Sequence, residues 1–128
     1  MIMQQTFKDK TVVVTGGANG IGRCIAEEFR SAGATVYVID KQEGEHFVGD
    51  ISRKEVLEAF VDEILSGCTQ VDCIINNALP LMKGIDECTY EEFQYALSVG
   101  ITAPFYLVKL LKEHLAEGAS IINISQNK

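Results

Sequence analysis

The amino-acid sequence predicts an α/β fold built on an open parallel sheet of about five strands, with helices on its faces. Three observations predict it. Apolar runs of strand length alternate with segments whose apolar residues recur at helical spacing. The first run, 11–15, is apolar enough to be covered on both faces. A glycine-rich turn, Thr15-Gly16-Gly17-Ala18-Asn19-Gly20-Ile21-Gly22, joins that run to the first helical segment.

Each element follows in order. After the strand at 11–15, Ile21, Ile25, Ala26 and Phe29 place a helix over 21–32, and Gly33 closes it. A second strand runs over 35–39 and ends in Asp40. Six residues, 41–46, separate it from the short apolar piece Phe47-Val48. A parallel crossover normally takes a dozen residues or more. The connecting helix is therefore missing or reduced to a turn, and the third strand rests on two residues. Ser52 is placed to cap a helix over 53–66, with Glu55 completing a capping box. Its apolar face is Val56, Leu57, Phe60, Val61, Ile64 and Leu65, and Gly67 ends it. A fourth strand covers 71–76. Thr89 and Glu92 form a second capping box ahead of Phe93, Ala96 and Leu97. A long helix is expected over 102–117, with Pro104 in its first turn. The last strand is 120–125.

The 128 residues suit one domain, 1–128, able to remove roughly two-thirds of its unfolded surface from water. Hydrophobic residues make up 47% and charged residues 23%, an ordinary globular balance. A net charge of −7 argues against nonspecific attachment to nucleic acid or an anionic membrane. No apolar run approaches the ~18 residues of a membrane span. The first residues lack the apolar core of a secretory signal, so a cytoplasmic location is expected. Cys24, Cys68, Cys73 and Cys88 form no Cys-x-x-Cys pair and are read as reduced, small apolar residues. With His46 and His114 away from ligand spacing, no metal site is expected.

The glycine turn carries the chemistry. Glycines there let phosphate approach the backbone, and the N–H groups freed at the helix start point at the anion. Asp40 closes the following strand 20 residues beyond Gly20, where a carboxylate accepts hydrogen bonds from an adenosine ribose. The same carboxylate repels a 2′-phosphate, so NAD is favoured over NADP, with Lys41 offsetting part of that repulsion. The alternative for Asp40 is a solvated loop acid.

Thr15-Gly16-x-x-x-Gly20-x-Gly22 resembles the glycine motif of the short-chain dehydrogenase/reductase family. Gly49-Asp50-Ile51 is similar to that family's adenine-contacting aspartate and the apolar residue after it. Residues 71–78 resemble its strand leading into Asn-Asn-Ala-Gly, and residues 120–125 resemble the strand before its catalytic serine. The resemblance covers the whole chain in the family's order. It implies a three-layer Rossmann-like sheet ordered 3-2-1-4-5, without the family's C-terminal strands. It further implies that Gly16, Asn19, Gly20, Ile21 and Gly22 hold a pyrophosphate, Asp40 the ribose, and Asp50 with Ile51 the adenine. Asn77 and Ala78 would lie along the ribose path. Strand-end hydrogen bonding by Asn76 and Asn77 is compatible with that role.

The departures fall where catalysis belongs. Leu79 replaces the glycine of Asn-Asn-Ala-Gly and is expected to crowd the nicotinamide half of a cofactor. The family's catalytic asparagine aligns with Gly100 and its serine with Gln126, and its Tyr-x-x-x-Lys pair falls beyond Lys128. A tyrosine, with an ordinary pKa near 10, serves as a general base at neutral pH only beside a cation. Tyr37 lies mid-strand, and Tyr90, Tyr95 and Tyr106 lie in helical patterns, so none is expected to have that partner.

A chain that stops here leaves 120–125 as a sheet edge carrying Ile121, Ile122 and Ile124, with no lysine, proline or bulge signal. The helix at 102–117 would expose part of Phe105, Leu107, Leu110 and Leu111. The expectation is a homodimer through this edge and helix. Three functions compete: NAD binding without dehydrogenase activity, an oxidoreductase completed by another chain, and a folded remnant with no ligand.

Overall fold

The computed structural model describes residues 6–125. Five strands, β1 (Thr11–Thr15), β2 (Thr35–Asp40), β3 (Phe47–Val48), β4 (Val71–Asn76) and β5 (Leu115–Asn123), form one sheet ordered β3-β2-β1-β4-β5. Every pairing is parallel. The helices are α1 (Gly20–Ser31), α2 (Lys54–Gly67), α3 (Tyr90–Leu97) and α4 (Ala103–Leu111).

The period-two alternation of a strand divides the core into two. Val13, Ile39 and Ile74 face α2 and α4, where they meet Leu57, Phe60, Ile64, Leu107 and Leu111. Val12, Val14, Val38 and Ile75 face the other way, onto Ala26 of α1. Three layers result, with β1 at the centre and buried along its whole length.

Several elements depart from the sequence pattern. The strand Phe47-Val48 forms, pairing Ile39 with Phe47 and Asp40 with Val48. A six-residue loop makes this parallel crossover without a helix, held by Gly49 N–H on the Asp40 carbonyl at 3.0 Å. Ser52 does not cap α2. Its N–H is taken by the Asp50 carboxylate at 2.9 Å, Arg53 occupies the N-cap position, and Glu55 pairs with Arg53 instead. The Thr89–Glu92 capping box forms as expected, with both reciprocal bonds present. Ile21, the first of the helically spaced apolar residues of α1, is exposed.

The helix expected over 102–117 ends early. The helical path runs from α3 through a π turn, Ser98–Thr102, into α4, and a 3-10 turn at Lys112–His114 finishes it. Leu115 then turns extended, because pairing with Val71 and packing on the core outweigh the helical preference of Ala116 and Glu117. The sheet register shifts between Val71 and Cys73 opposite Gly118, whose φ of +79° a side chain rarely adopts. So β5 does carry a bulge, and Leu107 and Leu111 belong to the core rather than to an exposed face. Cys73 alone of the four cysteines is buried, and Cys24 is exposed; all four are free thiols.

Candidate functional site

In a parallel sheet of this order, β1 and β4 lead to connections on opposite sides, which opens a crevice beyond their carboxyl ends. A groove of about 1050 Å³ lies there. It is bounded by the glycine loop after β1, the loops after β2, β3 and β4, and by α3.

The glycine loop is fastened to both neighbouring strands. Thr15 Oγ1 accepts the N–H groups of Asn77 (3.1 Å) and Ala78 (3.0 Å) at the end of β4. Asn77 Nδ2 donates to the Gly16 carbonyl at 2.9 Å, and Gly16 N–H donates to the Ile39 carbonyl of β2 at 2.8 Å. Two glycines are demanded by contact. A Cβ on Gly16, whose φ is +70°, would lie 2.8 Å from Ala78 Cα; one on Gly22 would lie 2.2 Å from the Gly16 carbonyl oxygen. Helix α1 therefore starts as close to the end of β1 as backbone atoms permit.

That start is open. Asn19 holds the N-cap position with extended backbone, yet its side chain caps nothing and donates to Gln42 Oε1 at 2.9 Å. No acidic residue lies in the first turn. The Arg23 N–H makes the bond back to Asn19, at 3.3 Å, and the N–H groups of the first turn ahead of it have no intrahelical partner. A positive helix end with uncapped donors is an anion cradle.

Asp40 flanks it. Oδ2 accepts the Ala18 N–H of the glycine loop and Oδ1 accepts the Gln42 N–H, both at 3.0 Å. Each oxygen keeps a lone pair for a ligand hydroxyl. Further out, Asp50 Oδ2 accepts the Tyr95 hydroxyl proton at 3.0 Å. Burial acts to raise the Asp50 pKa, but the Ser52 and Tyr95 hydrogen bonds and the nearby Lys41 charge outweigh it and hold the carboxyl below its usual range.

Of the residues singled out in the sequence, Gly16, Asn19, Gly20, Ile21, Asp40, Asp50, Ile51, Asn77 and Ala78 all line the groove; Gly22 is buried beneath the loop. Leu79 also lines it. Gly100 falls in the π turn, with Pro80 at 3.7 Å from where its Cβ would be. Gln126 lies outside the described residues.

One expectation is corrected. Tyr95 does have a cation beside it: Lys41 Nζ is 3.4 Å from its hydroxyl and 5.5 Å from its ring centroid. The pair lies 54 residues apart in sequence, so no local spacing exposes it. The net shift is nonetheless opposite to that of a catalytic pair. Burial and the Asp50 carboxylate raise the Tyr95 pKa, and Lys41 lowers it by less. Thr15, the first residue of the glycine motif, ties the loop to β4, a role the motif spacing alone does not assign.

Among the described residues no cluster of His, Cys, Asp and Glu could hold a metal, and no helix is long and apolar enough to cross a membrane.

The family model described as short chain dehydrogenase matches residues 10–128. L-fucose dehydrogenase of Mus musculus is 35% identical over 93% of this chain and 49% of its own length. The chain thus spans about half the length of the curated relatives it matches. An apo SCOR enzyme from Clostridium thermocellum superposes with a TM-score of 0.85 at 36% identity, over 92% of this chain and 54% of that one. A 3-ketoacyl-(acyl-carrier-protein) reductase from Brucella melitensis, complexed with NADH, has a TM-score of 0.83 at 23% identity, over 94% and 58% of the two chains, and speaks for the fold alone. The glycine loop, the strand order and the extent of the family match agree: this chain belongs to the short-chain dehydrogenase/reductase family.

Proposed function

We propose that the groove binds a nicotinamide dinucleotide, with NAD preferred over NADP, and that this chain by itself performs no hydride transfer. The observation that carries the first part is the uncapped start of α1 beside the Asp40 carboxylate. Uncapped N–H donors and the helix dipole take the pyrophosphate, and Asp40 takes the adenosine ribose hydroxyls. The match to the short chain dehydrogenase model over residues 10–128 supports a nicotinamide dinucleotide in general. The preference for NAD rests on Asp40, since a 2′-phosphate would place like charges in contact.

The second part rests on the proton. Oxidation of an alcohol needs a group that accepts the hydroxyl proton as hydride leaves. Tyr95 is the one tyrosine among the described lining residues, and its proton is held by Asp50. It also lies on the Asp40 side of the glycine loop, whereas Leu79 and Pro80 border the other end of the groove. Tyr106 also has a cation beside it, Lys54 Nζ at 5.6 Å from its ring centroid, but its hydroxyl donates to Glu58 on α2 and it lies outside the groove lining.

Titration of the chain with NAD and NADP tests the reading. NAD is expected to bind about tenfold more tightly, and Asp40→Asn is expected to close most of that gap. Equal affinities in the unaltered chain contradict the preference.

We also propose that two copies associate through β5. Its outer edge has no partner among the described residues, and Ile121 and Ile122 are 43% and 42% exposed beside Phe105 at 63%. An edge strand pairs antiparallel with itself about a two-fold axis, which closes the assembly at two. Light scattering at micromolar concentration is expected to give the mass of two chains, and Ile122→Lys that of one. A single-chain mass for the unaltered protein contradicts the proposal.

A further inference from the structure

One polar network spans the groove, and it joins three segments far apart in the chain. Tyr95 on α3 donates its hydroxyl proton to Asp50 Oδ2 (3.0 Å), on the loop after β3. Lys41, on the loop after β2, donates to the same hydroxyl oxygen at 3.4 Å and lies over the ring. The Ser52 N–H holds the other carboxylate oxygen at 2.9 Å. All of Lys41, Asp50 and Tyr95 line the groove.

The direction of donation is fixed by chemistry. Lys41 has only protons to give, and a carboxylate has only lone pairs, so the hydroxyl must point its single proton at Asp50. Each Asp50 oxygen is then pinned by one donor and retains one acceptor site. A carboxylate held this way accepts from a ligand and rejects a ligand acceptor.

The position of this carboxylate follows from the sheet. Gly16 follows β1, Asp40 ends β2, and Asp50 follows β3, the next strand outward. Adjacent strands are about 4.8 Å apart, so Asp50 lies roughly 10 Å from the anion cradle across the sheet. With a pyrophosphate at Gly16 and a ribose at Asp40, the group reaching Asp50 is the base.

We propose that Tyr95 is a positioning residue that sets base selectivity: it holds Asp50 as a fixed acceptor, so the groove takes a base with an exocyclic amino group and disfavours one with an oxo group there. This rests on the dinucleotide reading above. Lys41 is the second arm, anchoring the hydroxyl from the rim. The low pKa of Asp50 is in keeping with it, since the acid stays ionised at neutral pH.

The experiment compares NAD with nicotinamide hypoxanthine dinucleotide, in which the adenine amino group is replaced by an oxo group, by titration calorimetry. The unaltered chain is expected to favour NAD about tenfold. Tyr95→Phe keeps the ring and removes the hydroxyl, and is expected to cut that ratio to about twofold. A general loosening of the fold would weaken both ligands together and leave the ratio unchanged. Lys41→Met, on the exposed rim, is expected to lower the ratio in the same direction by a smaller factor, which keeps the test intact should Tyr95→Phe fold poorly. NAD binding with an unaltered ratio in these variants overturns the role of Tyr95 alone. An unaltered chain that binds neither dinucleotide overturns the groove reading and this inference with it.

Discussion

Gly22→Ala is expected to lower stability by about 2–4 kcal/mol and to abolish measurable nucleotide binding. The added Cβ would lie 2.2 Å from the Gly16 carbonyl oxygen and 2.3 Å from Asn77 Nδ2. Neither neighbour can yield cheaply. The first is backbone in the loop that would hold the anion, and the second is the donor that fastens that loop to β4. Helix α1 must therefore back away from β1, which spoils both the packing and the aim of its first N–H groups. In a chain of this size the loss corresponds to a melting temperature lower by roughly 10 °C. Gly20→Ala is the comparison. Its Cβ would meet nothing within 4 Å, so only the cost of a φ of +61° remains, about 1 kcal/mol. Thermal unfolding of both variants checks the difference. A Gly22→Ala protein that melts within about 2 °C of the parent contradicts the packing argument.

Thr15→Val is expected to cost about 2–4 kcal/mol, although it conserves shape. The side chain is 3% exposed, and its hydroxyl oxygen is the acceptor for both Asn77 N–H and Ala78 N–H. Valine leaves the buried Asn77 donor without a partner, at a desolvation penalty of about 1–3 kcal/mol, and the part-buried Ala78 donor without one at a smaller penalty. Thr15→Ser keeps the oxygen and removes one methyl, so its loss is expected to be about 1 kcal/mol. Urea unfolding of the two variants separates the contributions. A serine variant as damaged as the valine variant would assign the effect to methyl packing instead.

The parts of this molecule that local chemistry dictates were readable in the sequence. The glycine turn needs its residues at fixed spacing between a strand and a helix, and the structure places them so. The strand order followed from family resemblance, and the Thr89–Glu92 box from a four-residue pattern. The misreadings share a cause, which is competition from residues distant in sequence. Ser52 has the chemistry of a cap, but α2 starts at Lys54 with Arg53 in the N-cap position, and Asp50 takes the Ser52 N–H that Glu55 would accept in a capping box. Ala116 and Glu117 favour a helix, but Leu115 is committed to Val71 on β4. The π turn at Ser98–Thr102 leaves no mark, because helical periodicity continues on both sides of it. Lys41, Asp50 and Tyr95 meet only because β2, β3 and α3 border one groove, and nothing local in any of the three segments announces the meeting.

On the proposed reading, the uncapped start of α1 seats the pyrophosphate of a dinucleotide. Calorimetric titration of the purified chain with ADP-ribose tests it most directly, since this ligand carries the pyrophosphate, the ribose and the adenine but no nicotinamide. Saturable one-to-one binding, lost in Gly22→Ala, is the predicted result. Absence of any binding heat up to millimolar ADP-ribose, in a chain that melts cooperatively, would contradict it.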